Sequence, residues 1–220
     1  MKRGKQDQQQ RQIGSGSFGT VVQSTKKKGV VKKTPLMMQG RYQHAFRNEV
    51  RIYEMLSAIS PPLPFVPVYF GRSEQQQGGR SFQMQKIHPD LTHLLRRLTP
   101  QKAESFFSHA FQSLSQLHRY LFHMDLGLQN VGFRGDSGQI VFFDFGASIP
   151  VKDPRLSTDM IHLLQRKERN DLYGIFEDYC DEYREDLYPA LKRAYAPYKT
   201  RMFTRQQRKR VEEFQISLLP

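Results

Sequence analysis

Residues 123–146, HMDLGLQNVGFRGDSGQIVFFDFG, leave the chain few ways to fold. Two apolar runs, 131–133 and 140–143, flank the turn sequence Gly135-Asp136-Ser137-Gly138, a pattern that predicts a β-hairpin. A hairpin folds the second run back beside the first. It thereby brings Asp144 to the end of the small sheet that carries Asp125 and Asn130. Three oxygen-bearing side chains on one edge suit a hard cation such as Mg2+, which takes carboxylate, carbonyl and water ligands. The plainer alternative is a polar loop with one buried aspartate at a strand end.

Upstream, Ile13-Gly14-Ser15-Gly16-Ser17-Phe18-Gly19-Thr20-Val21-Val22 places β-formers on both sides of a Gly/Ser turn. Glycines let backbone N–H groups approach phosphates without a Cβ in the way. A dinucleotide-binding turn would need a helix next. Here a β-branched segment and then a basic turn follow, so strand–loop–strand is expected. Val30-Val31-Lys32-Lys33 reads as a further strand, with the two lysines on opposite faces because strand side chains alternate. In the segment 41–59, Phe46, Val50, Tyr53 and Leu56 are spaced four, three and three, which predicts a helix stopped by Pro61-Pro62.

Taken in order, these elements resemble the protein-kinase family over residues 13–159. The family's catalytic loop, His-Arg-Asp-Leu-x-x-x-x-Asn, is matched by 123–130, and its Asp-Phe-Gly turn by 144–146. The resemblance implies an α+β, bilobal protein-kinase-like fold: a tail at 1–11, a small β-rich N-lobe at 12–87 and a shortened helical C-lobe at 88–220. It implies ATP and Mg2+ as cofactors, with Asp125 accepting the proton of the attacking hydroxyl and Asn130 and Asp144 holding metal. Gly14, Ser15, Gly16, Ser17, Phe18, Gly19, Val21 and Val30 would surround the nucleotide. Lys32 would contact its phosphates and Glu49 would pair with Lys32. Met84 would be the gatekeeper, with Gln85 to Ile87 offering backbone hydrogen bonds to adenine.

The rest of the chain is read more coarsely. Segments 65–70 and 80–87 are expected as strands, His88-Pro89-Asp90 as a turn and N-cap, and 100–121 as an amphipathic helix with an aromatic core face. After Gly146, a helix capped at Ser157 over 160–164 and a second one from about Asn170 are expected. Asp159, ahead of Asp171, is the candidate for the buried helix aspartate that braces the catalytic loop in the family. The C-terminal segment is charged and helical.

Composition narrows the functional classes. With 34 Lys and Arg against 21 Asp and Glu, the chain carries a formal charge of +13. Such a field attracts nucleic acid, acidic proteins and phosphates. No nucleic-acid motif accompanies it, so nucleic acid is not the favoured partner. The single cysteine, Cys180, excludes an internal disulfide framework. No apolar run reaches the length of a membrane span and no secretory leader opens the chain, so an intracellular site, cytoplasm or nucleus, is expected.

Several residues depart from the family pattern. Met124 stands where many kinases carry the arginine that reads a phosphorylated activation loop. Only about a dozen residues separate Gly146 from Asp159, and no Ala-Pro-Glu follows. Activity without a regulated activation loop is therefore expected. Gly127 replaces the lysine that contacts the transferring phosphoryl group, and Gly132 the apolar floor under adenine. The expected function is transfer of the ATP γ-phosphoryl group to Ser or Thr of a protein, a host protein among the candidates. The compact C-terminal part resembles minimal kinases of bacterial effectors, which act in virulence, and of viruses. The alternatives are a pseudokinase that sequesters a partner protein and a small-molecule phosphotransferase.

Overall fold

The structure is a computed structural model that describes residues 12–16, 19–24, 27–35, 40–74, 80–135, 138–199 and 203–218. The expected N-terminal tail, and Ser17 and Phe18 of the glycine-rich turn, lie outside the described residues. The first half is built on five strands: β1 (Gln12–Gly16), β2 (Gly19–Gln23), β3 (Val30–Pro35), β4 (Tyr69–Glu74) and β5 (Arg80–Gln85). They form one antiparallel sheet in the order β1-β2-β3-β5-β4. Helix α1 (Gly40–Ser57) lies between β3 and β4 in the chain. Its predicted stripe of Phe46, Val50, Tyr53 and Leu56 is wholly buried, as a 3.6-residue period requires of a helix laid on a sheet.

The fourth strand begins later than the apolar run suggests. Phe65 and Val66 are buried, but Pro64 and Pro67 deny the ladder two donors, and pairing starts at Tyr69. The displaced run packs on the later hairpin instead: Phe142 N–H donates to Phe65 O at 2.9 Å, and Arg134 Nη2 to Val66 O at 3.0 Å.

Beyond the sheet the chain turns helical. α2 (Leu91–Leu95) is capped by Asp90, which accepts from His93 N–H at 3.2 Å. α3 (Pro100–Leu117) opens on a proline, a residue suited to the first helical position. Its face of Ala103, Phe107, Ala110, Phe111, Leu114 and Leu117 is buried. β6 (Leu121–Phe122) pairs with β9 (Ile149–Pro150), and between them β7 (Val131–Arg134) and β8 (Gln139–Phe142) make the expected hairpin. At Gly132 an added Cβ would lie 2.4 Å from His88 O. Only glycine lets the linker after β5 press this closely on β7, where His88 and Phe133 exchange two backbone hydrogen bonds of 2.9 Å.

After Gly146 the sequence predicts two helices, and the structure has one, α4 (Thr158–Tyr183), of 26 residues. Ser157 caps it as expected, accepting from Met160 N–H at 3.2 Å. Nothing in Gln165-Arg166-Lys167-Glu168-Arg169-Asn170 breaks a helix, and Lys167 bonds Asp171 one turn on at 2.7 Å. α5 (Tyr188–Tyr195) and α6 (Arg205–Ser217) follow, the latter started by a capping box between Thr204 and Gln207. The main core runs continuously from Val31 in the sheet through α1 and α3 to α5. A smaller core gathers Phe122, Ile149, Met160, Leu163, Leu164 and Val211, with Met124, Phe203, Phe214 and Leu218 against it. The architecture is α+β: a sheet-rich N-terminal part and a helical C-terminal part. Among the described residues no helix is long and apolar enough to cross a membrane.

Candidate active site

The hairpin delivers what its sequence promises. Phe143 N–H donates to Asn130 O at 3.1 Å, which ties the end of β8 to the loop before β7. Asn130 is buried, and its Nδ2 donates to Asp125 O at 2.7 Å and Asp125 Oδ2 at 3.2 Å. Asp125 itself is exposed. Its carboxylate is thus aimed by a fixed neighbour while remaining open to an incoming group.

The lysine in the site is Lys33, not Lys32. Lys33 Nζ lies 2.8 Å from Glu49 Oε2, 3.0 Å from Glu49 Oε1 and 2.9 Å from Asp144 Oδ1. The strand is shifted by one residue from the expectation, and in a strand that slip exchanges faces. Val31 opposes Met84 in the middle of the sheet and shares its face with Lys33, while Lys32 is half-exposed. Lys33 is 4% exposed and Glu49 0%. Burial alone would push the Lys33 pKa down, but the Glu49 and Asp144 carboxylates outweigh it and the net direction is up. Glu49 is pushed up by its burial and by the charge of Asp144, against the pull of Lys33.

Two further contacts set this triad. Asn48 Nδ2, beside Glu49 on α1, donates to Gly146 O at 3.0 Å and Ser148 O at 2.8 Å. An aromatic column runs from Tyr69 to Tyr53 (5.9 Å between centroids), to Phe145 (5.3 Å) and to His123 (5.3 Å). His123 Nε2 donates to Phe143 O at 2.8 Å. The column packs β4, α1, the Asp144 turn and the catalytic loop as one stack.

The loop backbone is braced by a residue that sequence reasoning missed. Glu168 on α4 accepts Met124 N–H through Oε1 at 2.7 Å, and its Oε2 accepts His118 Nε2 at 2.9 Å. Asp159, the expected brace, is exposed, and Asp171 is bonded to Lys167. The reason is phase: on a single continuous helix, position 168 faces inward and 159 does not. Glu168 sits in a run of charges that gives no sign of burial, yet it is 1% exposed. Burial works to raise its carboxyl, but the His118 hydrogen bond, the neighbouring His118 and His123 rings and the Met124 N–H together hold it below the usual range. From α6, Gln215 Nε2 donates to Met124 O at 3.2 Å. Met124 needs both contacts because its φ is +66°, a left-handed conformation that costs a non-glycine residue about 1–3 kcal/mol.

The model of the protein kinase domain matches residues 8–163. The chain belongs to the protein kinase family. No curated protein matches it. Membership places it with phosphotransferases of the kinase type, a family that acts on proteins and generally uses ATP and Mg2+.

The other positions read from the kinase pattern fall as follows. Gly14, Ser15 and Gly16 lie in β1, paired with Val21, Thr20 and Gly19 of β2, so the glycine-rich segment is strand–loop–strand. Val21 is half-buried, and Val30 and Met84 are buried. Gln85 N–H donates to Val68 O and Lys86 N–H to Gly29 O, both at 2.8 Å. Among the described residues Ile87 N–H donates to no backbone carbonyl, which narrows the expected adenine donors to that group.

The donor set fits Mg2+ and a polyphosphate. Asn130 has its nitrogen turned to Asp125, leaving the amide oxygen for a cation. The Asp144 side chain is 20% exposed even while it bonds Lys33. One carboxylate and one amide oxygen make an incomplete cage, as suits a cation that completes its shell with phosphate oxygens and water. Among the described residues no group of three His, Cys, Asp or Glu could hold a metal alone.

Proposed function

We propose that the chain transfers the γ-phosphoryl group of ATP to Ser or Thr of a protein, without a regulated activation loop. The observation that carries this reading is Lys33 held between Glu49 and Asp144 at 2.8–3.0 Å. Lys33 would grip the phosphates, and Glu49 would keep its chain extended. Asn130 and Asp144 would hold Mg2+, which neutralises charge on the phosphates when bound. Exposed Asp125, steadied by Asn130, would orient the acceptor hydroxyl and take its proton. Ile87 N–H would receive the adenine ring.

The expectation of no activation loop is supported by the short path from Gly146 to the cap at Ser157, and by Met124. The Met124 backbone is clamped by Glu168 and Gln215 rather than by a phosphorylated segment. A second reading, a pseudokinase that binds a partner protein, draws on Gly127. Glycine there supplies no side chain to reach a transferring phosphoryl group, and the nearest atoms to an added Cβ belong to the exposed Gln129 amide.

Labelled ATP separates the readings. Transfer to mixed acceptor proteins, lost in Asp125→Asn while ATP·Mg2+ still raises the Tm, supports the kinase. A Tm rise with no transfer by the wild type leaves the binding role. Label passing to small alcohols but not to proteins sinks the protein substrate.

A further inference from the structure

Away from the Lys33 triad, a cavity of about 310 Å3 lies between α4 and the first two turns of α6. It is lined by Asp159, His162, Leu163, Arg166, Gln207 and Arg210. Two guanidinium groups face one carboxylate, and among the described residues none of the three takes part in an ion pair. The Arg166 guanidinium rests on the Phe203 ring, 4.0 Å from its centroid, a cation–π contact that fixes the plane. Its Nε and Nη2 are buried without a hydrogen-bond partner among the described residues. Unsatisfied buried donors of a charged group are strongly unfavourable. Two of them on one immobilised arginine, at the wall of a cavity, call for an acceptor. Gln207 Oε1 is held by Thr204 N–H at 3.0 Å, which leaves the Gln207 amide nitrogen able to donate.

We propose that this cavity is a binding site for a phosphoryl dianion. Planar guanidinium donors match phosphate oxygens in pairs, and the +13 chain attracts anions from a distance. The ligand joins α4 through Arg166 to α6 through Gln207 and Arg210. The same two helices supply Glu168 and Gln215 to the Met124 backbone. Occupancy therefore tightens the helix pair that holds the catalytic loop, at a site separate from the nucleotide. This inference does not depend on the chain being an active transferase.

Thermal unfolding of the full chain tests it, with inorganic phosphate and with free phosphoserine against chloride at matched ionic strength. A saturable Tm rise of about 3 °C or more at 100-fold excess over Kd is expected. It should be additive with a non-hydrolysable ATP analogue and Mg2+, be abolished in Arg166→Gln and at least halved in Arg210→Gln. Arg210 is exposed, so its variant serves even where Arg166→Gln fails to fold. A rise with phosphate alone assigns the free ion, and one with both ligands assigns the phosphomonoester group. No rise over chloride, a rise cancelled by the nucleotide analogue, or a rise unchanged in Arg210→Gln overturns the proposal.

Discussion

Lys33 and Met124 are each held from two directions, but by different kinds of neighbour. Lys33 is gripped through its side chain by two carboxylates, one of them 111 residues away in the chain. Met124 is gripped through its backbone, N–H to Glu168 and C=O to Gln215, while its side chain packs in the small core. A side-chain grip depends on residue identity and leaves a motif in the sequence. A backbone grip can be made to any residue, so the position it holds carries no signature. The lysine cluster is built in the first way and the 123–130 loop in the second.

The sharpest way to break this comparison is to exchange the two lysines. Lys33→Met leaves the buried Glu49 carboxylate, with half-buried Asp144 beside it, without a cation. It should cost about 3–5 kcal/mol of stability and lower transfer by about 100-fold or more. Lys32→Met should stay within about 0.5 kcal/mol in a urea titration and keep its activity. If the two variants traded outcomes, the inward lysine would be misassigned.

Glu168→Gln comes next. Loss of its charged hydrogen bonds should cost about 1.5–3 kcal/mol. It should lower kcat more than it raises the KM for ATP, because the loop and not the nucleotide loses support. The folded Glu168 carboxyl titrates below its ordinary value. Its contribution is therefore fully present above the ordinary carboxylate pKa near ~4.3 and is lost as pH falls through the folded value. Urea midpoints from pH 6 to 3 should fall less steeply in the glutamine variant than in the wild type. Equal slopes would show that the brace is not ionised.

Gln215→Ala removes one hydrogen bond and should cost about 1 kcal/mol. A fall in kcat with the ATP KM unchanged would show that α6 serves the loop. An unchanged kcat would reduce it to a packing helix. The smallest effect concerns the interior of the helical part. Cys180 is wholly buried, and burial pushes its thiol up to about 11. Iodoacetamide at pH 8 should label it only as fast as the chain unfolds, and prompt labelling would mean that the core around α4 opens locally.

The same contrast explains what could be read beforehand. The hairpin, the α1 stripe, the caps at Asp90 and Ser157, and the placing of Asp125, Asn130 and Asp144 together at the hairpin's end all rest on local spacing, and sequence carries spacing well. The sequence does not distinguish Lys32 from Lys33, because Val30 and Val31 are both apolar and give the strand no phase; pairing with β5 supplies it. The late start of β4 follows from Pro67, which has no N–H to give the ladder. The charged run 165–170 carries no apolar periodicity to join the two expected helices, so the continuity of α4, and with it the outward phase of Asp159, shows only in the fold. Glu168 and Gln215 are legible only once α4 and α6 are known to meet at the catalytic loop.

α4 also behaves as a ruler whose markings cannot be moved. Ser157 fixes its zero, Arg166 and Glu168 are set at turns counted from there, and Tyr179 and Cys180 enter the core near its far end. Each residue advances the helix by about 100°, at 3.6 residues per turn. Deleting one residue between 160 and 166 would leave the helix as stable by propensity, yet swing Glu168 away from Met124 and Arg166 away from Phe203 in a single stroke. Length variation in this protein is therefore expected in the turns on either side of α4, and phase within it is the quantity that folding has to protect.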